Sequence, residues 1–236
     1  MTSTETPAKD QSLEPPGKIP RYKDAGQIVH SRISRLQKQL FSSGHEAQAR
    51  ASLAALRQAV SQSPGESFEI WELTHVEKTP DWATDAPTPE EMAVHTAMTL
   101  YALHQQSRTS PMSRPGIGLG RAARDLVGRD AEDNESLRKR FNALVTSSTI
   151  TELRHHLRTF ITLLRSKEIA LDHAMLADDV ARFQRPGGPA TVRLRWARQY
   201  YSVPAPGAGP RSTTGINAPS GIDAPSAPTT THSTEA

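Results

Sequence analysis

The sequence predicts an all-α protein, a compact helical bundle flanked by disordered N- and C-terminal tails. Three observations predict it. Apolar residues recur every three or four positions through the middle of the chain, which is the spacing of one buried helix face. Helix-starting residues such as Thr88, Asn134, Thr149 and Asp172 alternate with Pro/Gly breaks. No convincing segment alternates apolar and polar residues as a half-buried strand does.

Residues 1–24 and 203–236 are rich in Pro, Ser, Thr, Ala and Gly and nearly lack large apolar side chains. They bury too little surface to offset the entropy of ordering, so both read as disordered tails. The helical domain is then 25–202. In that span Val29, Ile33, Leu36 and Leu40 mark a helix over about 26–42, and Leu53, Leu56 and Val60 mark a second. Ser63-Pro64-Gly65 ends the second helix, and Phe68, Trp71 and Leu73 suggest a short apolar segment. A Pro-rich loop follows. Thr88-Pro89-Glu90-Glu91 is a capping box with proline at the first helical position, opening a helix over about 89–106.

A loop through Pro111, Pro115 and Gly116 leads to a helix over about 118–128. Asn134 can cap the next, with Leu137, Phe141, Leu144 and Val145 inward. Thr149-Ile150-Thr151-Glu152 is a second capping box, ahead of Leu153, Leu157, Phe160, Ile161 and Leu164. Asp172 can cap a helix bearing Leu176, Val180 and Phe183, which Pro186-Gly187-Gly188-Pro189 stops. A last helix places Val192, Trp196, Gln199 and Tyr200 on one side. No internal repeat is visible.

Composition narrows the function. Cysteine is absent, which excludes disulfides, thiolate metal sites and thiol catalysis. No apolar run reaches the ~18 residues that span a bilayer, and the N-terminus lacks a secretory pattern. A soluble cytoplasmic protein with no membrane partner is expected. Nine histidines invite a metal reading. However, His155 and His156 diverge on a helix, His95 and His104 are not four apart, and there is no HExxH. The histidines read as surface or partly buried, and no metal or cofactor is expected. Asp178-Asp179 reads as a solvated helix face rather than an acid/base pair. Gly116-Ile117-Gly118-Leu119-Gly120 has neither a preceding strand nor the lysine of a phosphate loop. It reads as a tight loop into the next helix, whose free N–H groups could meet a phosphate. No catalytic constellation is found.

The positive charge is unevenly placed. Residues 100–201 hold 17 Lys/Arg against 10 Asp/Glu, an excess of seven, whereas the whole chain has a formal net charge of +3. Arg121 and Arg124 share a helix face. Arg138, Lys139 and Arg140 follow a helix start. Arg154, Arg158 and Arg165 form a stripe, and Arg193, Arg195 and Arg198 load the last helix. Any one arginine can be a solvated or paired surface residue, but the set points to a polyanion. Among the tryptophans, Trp196 falls in phase with the core, while Trp82, in a loop, is an open candidate for base stacking.

The segments LAALR at 53–57, LYALHQQ at 100–106, PMSRPGIGLGRA at 111–122 and KRFNAL at 139–144 form a recognisable series. It continues with HHLRTFITLLR at 155–165, ALDHAMLADDVARFQ at 170–184 and VRLRWARQYY at 192–201. The series resembles the CasB family, the small subunits of the type I-E Cascade complex of CRISPR systems, over about 26–202. The resemblance implies a non-catalytic helical subunit, two copies of which pack head-to-tail against other Cascade subunits. It implies a basic face that helps hold the R-loop formed by crRNA and target DNA, mainly its displaced single strand. The residues it points to are Arg57, Arg121, Arg124, Arg138, Lys139, Arg140, Arg154 and Arg158. Arg57 is followed by Gln58, where the family often has a second arginine. The alternative expectation is a purely architectural helical protein whose basic face docks acidic partner subunits.

Overall fold

In a computed structural model the described residues are 22–42, 44–77, 85–128 and 134–202. Residues 1–21 and 203–236 of the expected tails, and the candidate Trp82, lie outside them. The expected N-terminal tail runs too far, because Tyr22 is buried against Asp172 and Asp24 already opens the first helix. The described residues form α1 (Asp24–Phe41), α2 (Glu46–Gln58), α3 (Trp71–Thr74), α4 (Pro89–Gln105), α5 (Leu119–Val127), α6 (Glu135–Thr146), α7 (Ile150–Ser166), α8 (His173–Phe183) and α9 (Gly188–Tyr201). Short 3-10 turns at Ala59–Ser61 and Phe68–Ile70 follow α2 and precede α3. Among the described residues there is no strand, only an isolated bridge from Ser113 to Leu171. The fold is all-α, as the periodicity implies.

Helix α4 is the centre, packed against α1, α2, α7 and α8. Every residue from Ala93 to Ala102 is buried, so this helix has no solvated stripe over that stretch. Thr88 Oγ1 accepts from the Glu91 amide and the Glu91 carboxylate accepts from the Thr88 amide, completing the predicted box. Around this axis the predicted faces close. Leu153, Leu157, Phe160, Ile161 and Leu164 of α7 are all buried. Each such side chain contributes about 1.5–3 kcal/mol.

Helix α8 is tied to its neighbours through carboxylates. Asp172 caps it, accepting from the Ala174 and Met175 amides. The same carboxylate also accepts from the Tyr22 hydroxyl and the Gly116 amide. Asp178 accepts from the Lys23 and Gly26 amides at the start of α1. Asp179 is 1% exposed and bonds to α9. The solvated face expected for Asp178-Asp179 is therefore wrong. The two carboxylates point apart, as helical neighbours must, but each meets a neighbouring helix.

Two predicted starts differ in detail. Asn134 precedes α6 without capping it, and its Nδ2 instead donates to the Val127 carbonyl. At α7 the Thr149 hydroxyl accepts from the Glu152 amide, while the Glu152 carboxylate bonds to Ser148. In the short apolar segment Phe68 is 88% exposed and Ile70 is buried in its place, because a helical turn rather than an extended run sets the inward position.

His95, His104 and His173 are buried, against the surface or partly buried setting expected for the histidines. His104 Nδ1 lies 3.4 Å from His173 Nε2, and among the described residues neither nitrogen of His95 has a hydrogen-bond partner. Burial holds His95 and His104 down to about 4. Burial and the neighbouring His104 hold His173 well below its ordinary value. In the unfolded chain these imidazoles titrate near about 6.5. The unfolded state therefore gains protons first, and stability falls as pH drops from about 6.5 towards 4. Asp179 acts oppositely: burial pushes its carboxyl up to about 6, against the pull of Arg195 and Trp196. Its proton uptake offsets part of the loss below pH 6. Replacing His95 by leucine removes two unpartnered buried nitrogens and one titration. We expect His95→Leu to gain about 2 kcal/mol over the native chain on going from pH 7.5 to 5, read from thermal unfolding at each pH. Parallel pH profiles for the two chains would contradict this.

Candidate nucleic-acid interface

Helices α5, α6 and α9 pack on one another and bring the exposed Arg121, Arg138, Arg140 and Arg198 onto neighbouring helices. The order begins in the core. Val192 and Trp196 of α9 are buried, and the Trp196 indole N–H donates to Asp179 Oδ2 at 2.7 Å. Arg195 donates to the other oxygen, Oδ1, at 2.5 Å. Arg193 donates to the carbonyls of Val145 and Ser147, each at 2.7 Å, and so fastens α9 to the end of α6.

The glycines before Arg121 belong to this packing. A Cβ on Gly120 would sit 2.1 Å from the Trp196 carbonyl oxygen, and one on Gly118 would strike the Gln199 side chain. Glycine is what lets α5 lie this close to α9. The Gly120 amide donates to Gln199 Oε1 and the Gly116 amide to Asp172. Those two N–H groups are spent inside the protein, so the expected free amides for a phosphate are not found at these positions. The loop before α5 is held in turn by Arg114 and Leu171, paired backbone to backbone.

The eight residues singled out in the sequence fall into two groups. Arg121 and Arg124 lie on α5, and Arg138, Lys139 and Arg140 on the adjacent α6. Arg121, Arg138 and Arg140 are exposed and make no ion pair among the described residues. Lys139 pairs with Glu135 one turn back at 2.8 Å, an exposed pair of little energetic weight. Arg124 lies over the Tyr200 ring, 5.6 Å from its centroid. An open groove of about 420 Å³ between α6 and α7 is lined by Lys139, Arg140, His155 and His156, among others.

The second group lies elsewhere. Arg154 Nη2 donates to the Gln62 carbonyl at 2.6 Å and Arg158 Nη1 to Ser61 Oγ at 2.5 Å. Both reach from α7 to the turn that follows α2, whose last turn holds Arg57. Arg165, the third of that stripe, bonds to the Leu103 carbonyl and the Gln106 side chain. These arginines keep their charge but use donors to brace helices. The spacing of Arg154, Arg158 and Arg165 shows a common stripe, not that the stripe faces another part of the chain.

Among the described residues no cluster of His, Asp or Glu could hold a metal, and no helix is long and apolar enough to cross a membrane. The family described as CRISPR-associated protein Cse2 matches residues 52–201. The chain belongs to the Cse2 family. The crystal structure of CasB from Thermobifida fusca is 32% identical, with a TM-score of 0.61, covering 76% of this chain and 99% of that one. A Cse2-family protein from Thermus thermophilus is 26% identical, with a TM-score of 0.57, covering 77% and 100%. CasB from M. ruber, 22% identical at a TM-score of 0.50, covers 72% and 93% and shares the fold. No curated protein matches. The Cse2 match spans α5, α6 and α9 and every residue singled out above.

The close approach of α5 to α9 has a measurable consequence. Gly120→Ala should lower stability by about 3 kcal/mol or more, because the obstacle is backbone. Gly116, at φ +84 with open space around its Cβ position, should lose only about 1–2 kcal/mol as alanine. Thermal unfolding of both variants checks this. A Gly120→Ala variant of native stability would show that the glycine has no packing role.

Proposed function

We propose that this Cse2-family chain is a non-catalytic small subunit of a type I-E Cascade complex, acting in the cytoplasm as part of CRISPR defence. In this reading it pairs with a second copy of itself and docks on other Cascade subunits. It stabilises the R-loop by binding the displaced DNA strand without regard to sequence. The carrying observation is the set Arg121, Arg138 and Arg140, exposed and without an ion pair among the described residues, on two packed helices of a CRISPR-associated family member.

The physics suits that role. In RNA-guided recognition, base pairing reads the sequence and protein contacts stabilise strand separation. The displaced strand is a flexible polyanion, and arginines on rigid helices grip phosphates without reading bases. Arg57, Arg124, Lys139, Arg154 and Arg158 complete the proposed contact set. Of these, Arg154 and Arg158 also brace α7, so replacing them would mix binding with stability.

The test uses the residues free of that complication. Arg121→Ala/Arg138→Ala/Arg140→Ala should fold normally and bind single-stranded DNA more weakly. The slope of log affinity against log salt should flatten by about 2, as three phosphate contacts are lost. Fluorescence anisotropy across a salt series reads both quantities. Unchanged affinity would overturn the assignment. Poor assembly with partner subunits at unchanged DNA affinity would favour the architectural alternative, in which the same face docks acidic proteins.

A further inference from the structure

We propose that Tyr201 is a base-stacking platform, so that the α5–α6–α9 surface takes up an unpaired nucleobase as well as phosphates. This rests on the proposed function and adds a ligand subsite to it.

Tyr201 is 78% exposed, at the end of α9. Burial therefore does not explain the ring, yet its surroundings hold it in place. Tyr201 packs edge-on against Tyr200, with ring centroids 5.1 Å apart and planes at 72°. Tyr200 stacks nearly flat on Phe141 of α6, at 5.4 Å and 15°. Phe141 is buried and rests on Phe160 of α7 at 5.7 Å. A ladder of four aromatic rings thus runs from the core between α6 and α7 out to solvent, and Tyr201 is its outermost ring. Arg124, over Tyr200, ties the ladder to the basic face. Arg198, one turn before Tyr201, is exposed and has no ion pair among the described residues.

An exposed aromatic ring supported by packed rings and set among arginines is the arrangement that single-strand binders use. The arginines follow the backbone while the ring accepts a base face. Stacking is tolerant of sequence because every base offers a π-face. A duplex hides those faces, so such a ring favours unpaired strands over paired ones. That preference is what holding a displaced strand requires, and phosphate contacts alone do not provide it.

The experiment compares the full native chain with Tyr201→Ala and Tyr201→Phe. Each is titrated by fluorescence anisotropy against an oligo-dT strand and an abasic strand of equal length, at several salt concentrations. Tyr201→Ala should weaken oligo-dT binding about fivefold to tenfold. It should leave the salt slope unchanged, because no phosphate contact is lost. Tyr201→Phe keeps the ring and should stay within about twofold of native. Abasic-strand binding should be the same for all three chains. Equal binding of both strands by the native chain, with no effect of Tyr201→Ala, would overturn the stacking site and leave the proposed function standing. An equal loss on both strands would also overturn it, by making Tyr201 a backbone contact. If the native chain bound neither strand, the proposed function itself would fail and the site with it.

Discussion

The bond from the Trp196 indole to the buried carboxylate of Asp179 is the constraint on which the basic surface depends. The carboxylate lies almost wholly out of water, and it stays there because Trp196 and Arg195 each donate to it. Removing it would leave a buried indole N–H unpartnered, at a cost of about 1–3 kcal/mol. Burial raises its proton affinity, and the two donors hold the charged form in place. Through this contact α8, packed on the central α4, fixes the position of α9. Helix α9 then receives α5 at the Gly120 contact and is fastened to α6 by Arg193. A surface made of short segments from three helices becomes rigid because its shared helix is anchored in the core.

That anchoring also divides the arginines by what they do. Arg193, Arg195, Arg154, Arg158 and Arg165 use their N–H groups on carbonyls, hydroxyls, an amide or a carboxylate of the chain itself. Apart from Arg195, whose charge is offset by the Asp179 carboxylate, they still contribute long-range attraction to a polyanion, since charge is not consumed by a hydrogen bond to a neutral oxygen. Their directed donors, however, are engaged. Arg121, Arg138, Arg140 and Arg198 have no such internal partner among the described residues. A rigid surface presenting both kinds has its field set by many charges and its contacts made by few.

The helices were legible in the sequence because their signals are local. Thr88 and Asp172 cap as their side chains allow, and the inward faces of α1, α7 and α8 follow from spacing alone. The site was legible as a set of charges, but not as a surface. Whether Asp179 meets water or an indole depends on a residue seventeen positions away, and periodicity does not reveal it. Gly120 looked like part of a loop signal because a glycine chosen for close helix packing has the same letter as one chosen for a turn. His95 and His104 are buried because α4 is enclosed on several sides, and His173 because the start of α8 packs it on Tyr101 and His104, which no single-helix pattern encodes. Tyr201 sits one position past the inward-facing Tyr200, so its exposure follows from the helix period, while its contact with the ring ladder does not.

The central claim is that the α5–α6–α9 surface lies against a displaced strand. Photocrosslinking within the assembled crRNA complex tests it most directly. The non-target strand would carry photoreactive thymine analogues through the region opened by guide pairing, and crosslinked peptides of this chain would be mapped after R-loop formation. Crosslinks within residues 119–127, 135–146 and 188–201, dependent on a matching guide, are the expected result. Crosslinks confined to other subunits, or equally abundant without guide pairing, would contradict the claim.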